Sequence, residues 1–140
     1  MSPAAEHLSL SLPVTVASRL LAHARRELPN EACALLAGDG AAGRVTTLYT
    51  ARNRHASPYR YDVDPRELVR ILHAIERRRE ELVAIFHSHP AGPSVPSGTD
   101  VREARYEALH LLADPSRDDG GLRAWRIEGE KASEVPLAIG

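Results

Sequence analysis

Leu82-Val83-Ala84-Ile85-Phe86-His87-Ser88-His89-Pro90-Ala91-Gly92-Pro93-Ser94-Val95-Pro96-Ser97-Gly98-Thr99-Asp100 is the stretch on which the fold turns. Its first five residues form an unbroken apolar run, the pattern of a buried strand. The run feeds directly into His-Ser-His-Pro. Residues two apart in a strand share a side, so His87 and His89 present two imidazoles on one face and Ser88 on the other. Gly92, Pro93, Pro96 and Gly98 then let the chain turn back over the strand end and limit its unfolded entropy. Ser97-x-x-Asp100 follows as a capping-box-like start to a helical pattern.

Working outward, Asp64-Pro65-Arg66-Glu67 reads as a helix start, with Asp at N-cap, Pro at N1 and Glu at N3 reaching back. The helix is predicted to run to about Arg79 with an inward stripe of Leu68, Ile71, Leu72 and Ile75. Upstream, Leu8 to Leu12 alternates Leu with Ser as a half-buried strand does, and Pro13 closes it. Val14 to Leu28 is predicted helical, with Val16, Leu20, Leu21 and Ala24 inward and His23, Arg25 and Arg26 on the wet side. Glu31 to Gly38 reads as a buried strand, joined through a turn at Asp39 to Gly43 to the β-branched strand Arg44 to Thr50. Asn53 to Asp62 is a loop with room for a short edge strand. Downstream, Val101, Ala104, Ala108 and Leu109 recur at helical spacing, and strands are expected at His110 to Ala113, Leu122 to Ile127 and near the C-terminus. The order implies an α+β (mixed α/β) fold with helices packed on one sheet.

The length of 140 residues fits one domain, taken as 1–140. With 43% hydrophobic and 26% charged residues the chain is globular in composition, which excludes a disordered or fibrous class. Aromatics are sparse, at 4 Tyr, 1 Trp and 1 Phe, and the net charge is −1. Both facts argue against nucleic acid, which calls for stacking rings and a basic footprint. Lys131 is the only Lys, and base composition explains the bias to Arg, since Arg-rich recognition comes with net positive charge. A single cysteine, Cys33, rules out an intramolecular disulfide. The N-terminus lacks a basic start followed by an apolar stretch, and no apolar run approaches a membrane span. The expectation is a cytoplasmic protein with no membrane partner.

Zinc accepts imidazole nitrogen at about 2.0–2.1 Å and carboxylate oxygen at about 2.0–2.2 Å, and catalytic sites leave one position for water. His87 and His89, with Asp100 as the obvious third ligand, would give such a site. The same residues have a plainer explanation, because paired histidines are tolerated at a strand end and Ser97 with Asp100 is an ordinary helix cap. Residue types alone do not separate the two. The concurrence of a buried strand, two imidazoles on one face and an acid returning across a fixed loop favours the metal.

At these residues the chain resembles the JAMM (MPN+) metalloproteases, whose motif is a Glu on an early strand, then His-x-His-Pro, then Ser-x-x-Asp. His87, His89, Pro90, Ser97 and Asp100 fit, and the early Glu falls on Glu31. Ala22 to Gly38 looks like the short bacterial members of the CysO-cysteine peptidase group; Ala34 stands where many have Gly, a difference of packing rather than chemistry. The resemblance implies an MPN/JAB-like central mixed sheet flanked by helices, layered as in cytidine deaminases. It implies Zn2+ held by His87, His89 and Asp100, with Glu31 as base and Ser97 as oxyanion donor. It also implies, as substrate, a ubiquitin-like sulfur-carrier protein with a C-terminal Gly-Gly, from which cysteine is released. A general isopeptidase or deubiquitinase-like enzyme, or a non-catalytic scaffold, are the alternatives, and a homodimer is one option for assembly.

Cys33 sits amid Ala and Leu and reads as a core thiol rather than a nucleophile. His7, His23, His55, His73 and His110 show no ligand spacing to one another. His23 and His73 are expected on exposed helix faces, His110 along the strand after the third helix, and His55 in a loop where it could face substrate.

Overall fold

In the computed structural model, which describes residues 9–104 and 107–140, the apolar run falls within a strand in the middle of an eight-stranded sheet. The elements are β1 (Leu10–Leu12), α1 (Val14–Arg26), β2 (Cys33–Asp39), β3 (Arg44–Ala51), α2 (Pro65–Arg77), β4 (Glu81–Ser88), α3 (Gly98–Glu103), β5 (Leu109–Ala113), β6 (Arg123–Glu128), β7 (Lys131–Val135) and β8 (Leu137–Ile139). The strand order is β7-β6-β5-β4-β2-β3-β1-β8. β2 runs antiparallel to both β3 and β4, while β4 with β5, and β1 with β3 and β8, run parallel. The sheet is therefore mixed.

The period of two along β2 sorts side chains onto two faces. Ala34 and Leu36, with Ala84, Phe86, Leu109 and Leu111, pack against Val16, Ala17, Leu20 and Ala24 of α1. Cys33, Leu35 and Ala37 pack against Ile71 and Ile75 of α2 on the other side. Each such buried Leu or Ile contributes about 1.5–3 kcal/mol. Helices thus flank the sheet. Cys33 pairs with His87 in register, which puts His87 on the α2 face.

Several boundaries differ from expectation for physical reasons. His23 is buried, not exposed: it lies at i+7 from Val16 and i+3 from Leu20, inside the helix stripe, and its Nε2 lies 3.0 Å from the Cys33 carbonyl. Asp64 caps α2 by accepting from the backbone of Arg66 and Glu67. Glu67 does not reach back, because its carboxylate accepts from the Arg52 N–H at 3.3 Å instead. The helical spacing through Ala108 and Leu109 is not realised: α3 ends at Glu103 with Ala104 extended, and Leu109 pairs with Ala84 as the first residue of β5. Glu31 stands just before β2 rather than in it. His73 is exposed as expected. Leu8 and His7 lie outside the described residues.

Candidate active site

The end of β4 and the approach to β2 are tied together by backbone and hydroxyl. Ser88 Oγ accepts from the Ala32 N–H at 2.8 Å, and the Ser88 N–H donates to the Ala32 carbonyl at 3.1 Å. This places Glu31 beside His87. The loop after β4 is fixed at His89, whose N–H bonds the Ala113 carbonyl, and at Ser94, whose carbonyl accepts from Trp125 Nε1 at 2.9 Å. Gly92 has φ +64, and a Cβ there would collide with the Asp114 carboxylate.

α3 then brings Asp100 back over the strand end. A reciprocal capping box holds it: Ser97 Oγ accepts from the Asp100 N–H at 3.1 Å, and the Ser97 N–H donates to Asp100 Oδ2 at 2.8 Å. With one lone pair so engaged, the exposed Ser97 hydroxyl keeps its proton to donate elsewhere.

Three groups converge. His87 Nε2 lies 3.2 Å from His89 Nε2 and 3.2 Å from Asp100 Oδ1, and His89 Nε2 lies 3.0 Å from Asp100 Oδ2. Ligands about 2.0–2.1 Å from a tetrahedral ion stand roughly 3.3 Å apart, so these separations fit a metal-ligand set. His89 Nδ1 lies 2.7 Å from the Pro93 carbonyl and donates to it, so Nε2 carries the lone pair in the neutral ring and a proton shared with Asp100 in the charged one. His87 Nδ1 is buried without a partner among the described residues. The Tyr61 ring stacks on His87 at 4.3 Å between centroids.

Glu31 is 4% exposed and its Oε1 has no partner among the described residues. It too lies within 4.8 Å of both imidazoles, so two triads share His87 and His89. The Asp100 oxygens lie 3.2 Å from His87 Nε2 and 3.0 Å from His89 Nε2, so Asp100 and Glu31 each offer a carboxylate to the imidazole pair. Burial drives the Glu31 carboxyl up to about 7, with His89 opposing and Asp100 reinforcing. Burial acts the same way on Asp100, but hydrogen bonds from His87 and His89 outweigh it and hold this carboxyl below its ordinary range. His87 is pushed down by burial. For His89 the loss of solvent is overcome by Asp100 and the Pro93 carbonyl, and its pKa rises.

All five sequence-predicted site residues, Glu31, His87, His89, Ser97 and Asp100, therefore lie at one end of the sheet. Cys33 is fully buried, and its thiol is pushed up to about 12, chiefly by burial. His110 is buried on β5 and His55 lines the adjoining cavity. Sequence reasoning missed Asn53 and Tyr61. Asn53 is buried and makes four bonds: Nδ2 donates to the carbonyls of Glu31 and Arg60, and Oδ1 accepts from the N–H groups of His55 and Asp62. A polar residue in a loop carries no pattern that announces such a role.

A strand-end cluster of two imidazoles and a carboxylate beside a buried glutamate, on a mixed sheet between helices, defines the class as an α+β protein with a candidate metal centre. The chain belongs to the prokaryotic homologs of the JAB domain, whose family model matches residues 13–128. A desampylase of Haloferax volcanii is 36% identical, covering 93% of this chain and 96% of that one. The CysO-cysteine peptidase of Mycobacterium tuberculosis is 34% identical over 93% and 90% of the two chains. A Thermus thermophilus protein named probable TtuB-protein conjugate cleaving protease is 37% identical over 93% and 84%. Among solved structures, a Desulfitobacterium hafniense protein superposes with TM-score 0.85 at 30% identity, covering 94% and 92%. A JAB1/MPN domain protein of Archaeoglobus fulgidus shares the fold, with TM-score 0.64 at 18% identity over 96% and 99%.

Proposed function

We propose that this protein is a zinc metallopeptidase that hydrolyses the bond after the C-terminal Gly-Gly of a ubiquitin-like sulfur-carrier protein and releases cysteine. One observation carries the chemistry: the Nε2 atoms of His87 and His89 and the Asp100 carboxylate meet within 3.2 Å beside the buried Glu31, whose Oε1 has no partner among the described residues. His87, His89 and Asp100 are the ligands and Glu31 and Ser97 the catalytic groups. A zinc ion held there would supply a Lewis acid and lower the pKa of water towards about 7. Glu31, raised to about 7, is matched to take a proton from the attacking water and pass it to the leaving amine. Ser97 donates a hydrogen bond from its hydroxyl to the developing oxyanion. A Gly-Gly tail carries no side chain at the scissile bond, so its backbone can approach the centre closely.

The substrate rests on the relatives, whose names include CysO-cysteine peptidase, desampylase and a TtuB-conjugate protease. The last two favour a second reading, a broader isopeptidase using the same residues. The assembled imidazole pair argues against a purely non-catalytic scaffold. No helix among the described residues is long and apolar enough to cross a membrane, and a lone buried cysteine suits the reducing cytoplasm. The test is to incubate zinc-loaded protein with a Gly-Gly carrier bearing a C-terminal cysteine and weigh the products. Loss of one cysteine is expected; an intact conjugate in the presence of bound zinc would overturn the proposal.

A further inference from the structure

A cavity of about 310 Å³ opens beside the site, with Asp100 and Thr99 on one wall. Its floor includes His110, which pairs in register with Ile85 and so shares the sheet face that carries His87. His110 is 3% exposed, and neither ring nitrogen has a partner among the described residues. Two orphaned nitrogens are costly in a folded protein and call for an explanation. Leu35, Ile85 and Leu68 supply apolar wall. The lining also includes Arg54, Arg60 and Asp62, with Arg54 Nε 3.6 Å from the Asp62 carboxylate.

We propose that this cavity seats the departing half of the substrate, that this half is a free α-amino acid, and that Arg54 and Arg60 receive its carboxylate while His110 hydrogen-bonds its side chain. The proposal rests on the peptidase reading. A Gly-Gly tail has no side chain to fill such a space, so the cavity belongs to the amine side of the scissile bond. An α-amino acid branches at its first carbon, sending a carboxylate one way and a side chain another, and the cavity offers two unlike polar walls to match. An acceptor lysine enters through an unbranched alkyl stem and makes no use of the cationic wall or the buried imidazole. Burial, then the neighbouring His87, press His110 down to about 4, so its neutral ring offers one donor and one acceptor to a thiol or hydroxyl.

The experiment compares three conjugates of one Gly-Gly carrier: an amide to cysteine, an amide to cysteine amide, and an isopeptide to the ε-amine of Nα-acetyl-lysine amide. Zinc-loaded protein is expected to favour cysteine over cysteine amide by about 10- to 100-fold in kcat/KM, the scale of a charge-assisted hydrogen bond. In Arg54→Ala and Arg60→Ala, both at exposed positions, the preference should collapse, with kcat/KM for the cysteine conjugate falling to that for the cysteine amide conjugate. Independently of turnover, the His110 ring resonances should shift on adding S-methylcysteine, and less so in the double variant. Turnover without carboxylate preference, a preference that survives both substitutions, or an unmoved His110 would overturn the subsite alone. No turnover of any conjugate by the metal-loaded protein would bring down the peptidase reading and the subsite with it.

Discussion

Asn53 holds Glu31 by its backbone: the Asn53 Nδ2 donates to the Glu31 carbonyl at 3.1 Å, and the Glu31 N–H in turn bonds the Ser57 carbonyl of the same loop at 2.8 Å. The loop that walls the cavity and the candidate base are thus one hydrogen-bonded unit. Asn53→Ala strands both carbonyls and both N–H groups, and should cost about 1–3 kcal/mol of stability in urea unfolding, with kcat falling more than KM rises. Asn53→Asp should not rescue it, because a carboxylate cannot donate to the carbonyls of Glu31 and Arg60.

Glu31→Gln keeps the shape of the side chain and removes its basicity. Zinc content should be unchanged and turnover should fall about 10²- to 10⁴-fold. Retained activity with bound zinc would remove Glu31 from the base role.

The metal-free protein should lose stability as pH rises from mildly acid to neutral. Glu31 moves from its ordinary 4.5 up to about 7, so the folded state holds a proton that the unfolded chain releases across this window. His89 is also raised and acts with the same sign, its contribution fading as pH climbs through its folded value. Asp100 is depressed and acts oppositely, losing its contribution only below the ordinary aspartate range. Urea midpoints of metal-free wild type and Glu31→Gln at pH 5 and 7.5 check this: the drop should be smaller in the variant.

Cys33 should behave as a core thiol. It is fully buried with a pKa near 12, so iodoacetamide should leave the native protein unlabelled at pH 8 and label it on unfolding. Cys33→Ala should keep turnover within about twofold, since no nucleophile is lost.

The middle of the sheet was legible because Leu82 to Phe86 is a continuous apolar run and the residues after it bear a recognisable spacing. His23 was not: a polar side chain inside a helix stripe reads as exposed until the Cys33 carbonyl it bonds is seen across ten residues of chain. The helix through Ala108 failed because strand pairing of Leu109 with Ala84 overrides a short-range periodicity. Glu31 was visible only through family resemblance, since no local rule links an isolated acid to histidines placed beside it by β2–β4 pairing. Asn53, Tyr61 and the unpartnered His110 act through contacts between distant segments, which no spacing encodes.

Zinc stoichiometry of wild type against His89→Ala is the most direct measurement. About one zinc per chain is expected in wild type and a negligible amount in the variant, because loss of one imidazole leaves too few protein ligands. Equal metal content in the two, whether full or negligible, would contradict a zinc centre built on His87, His89 and Asp100.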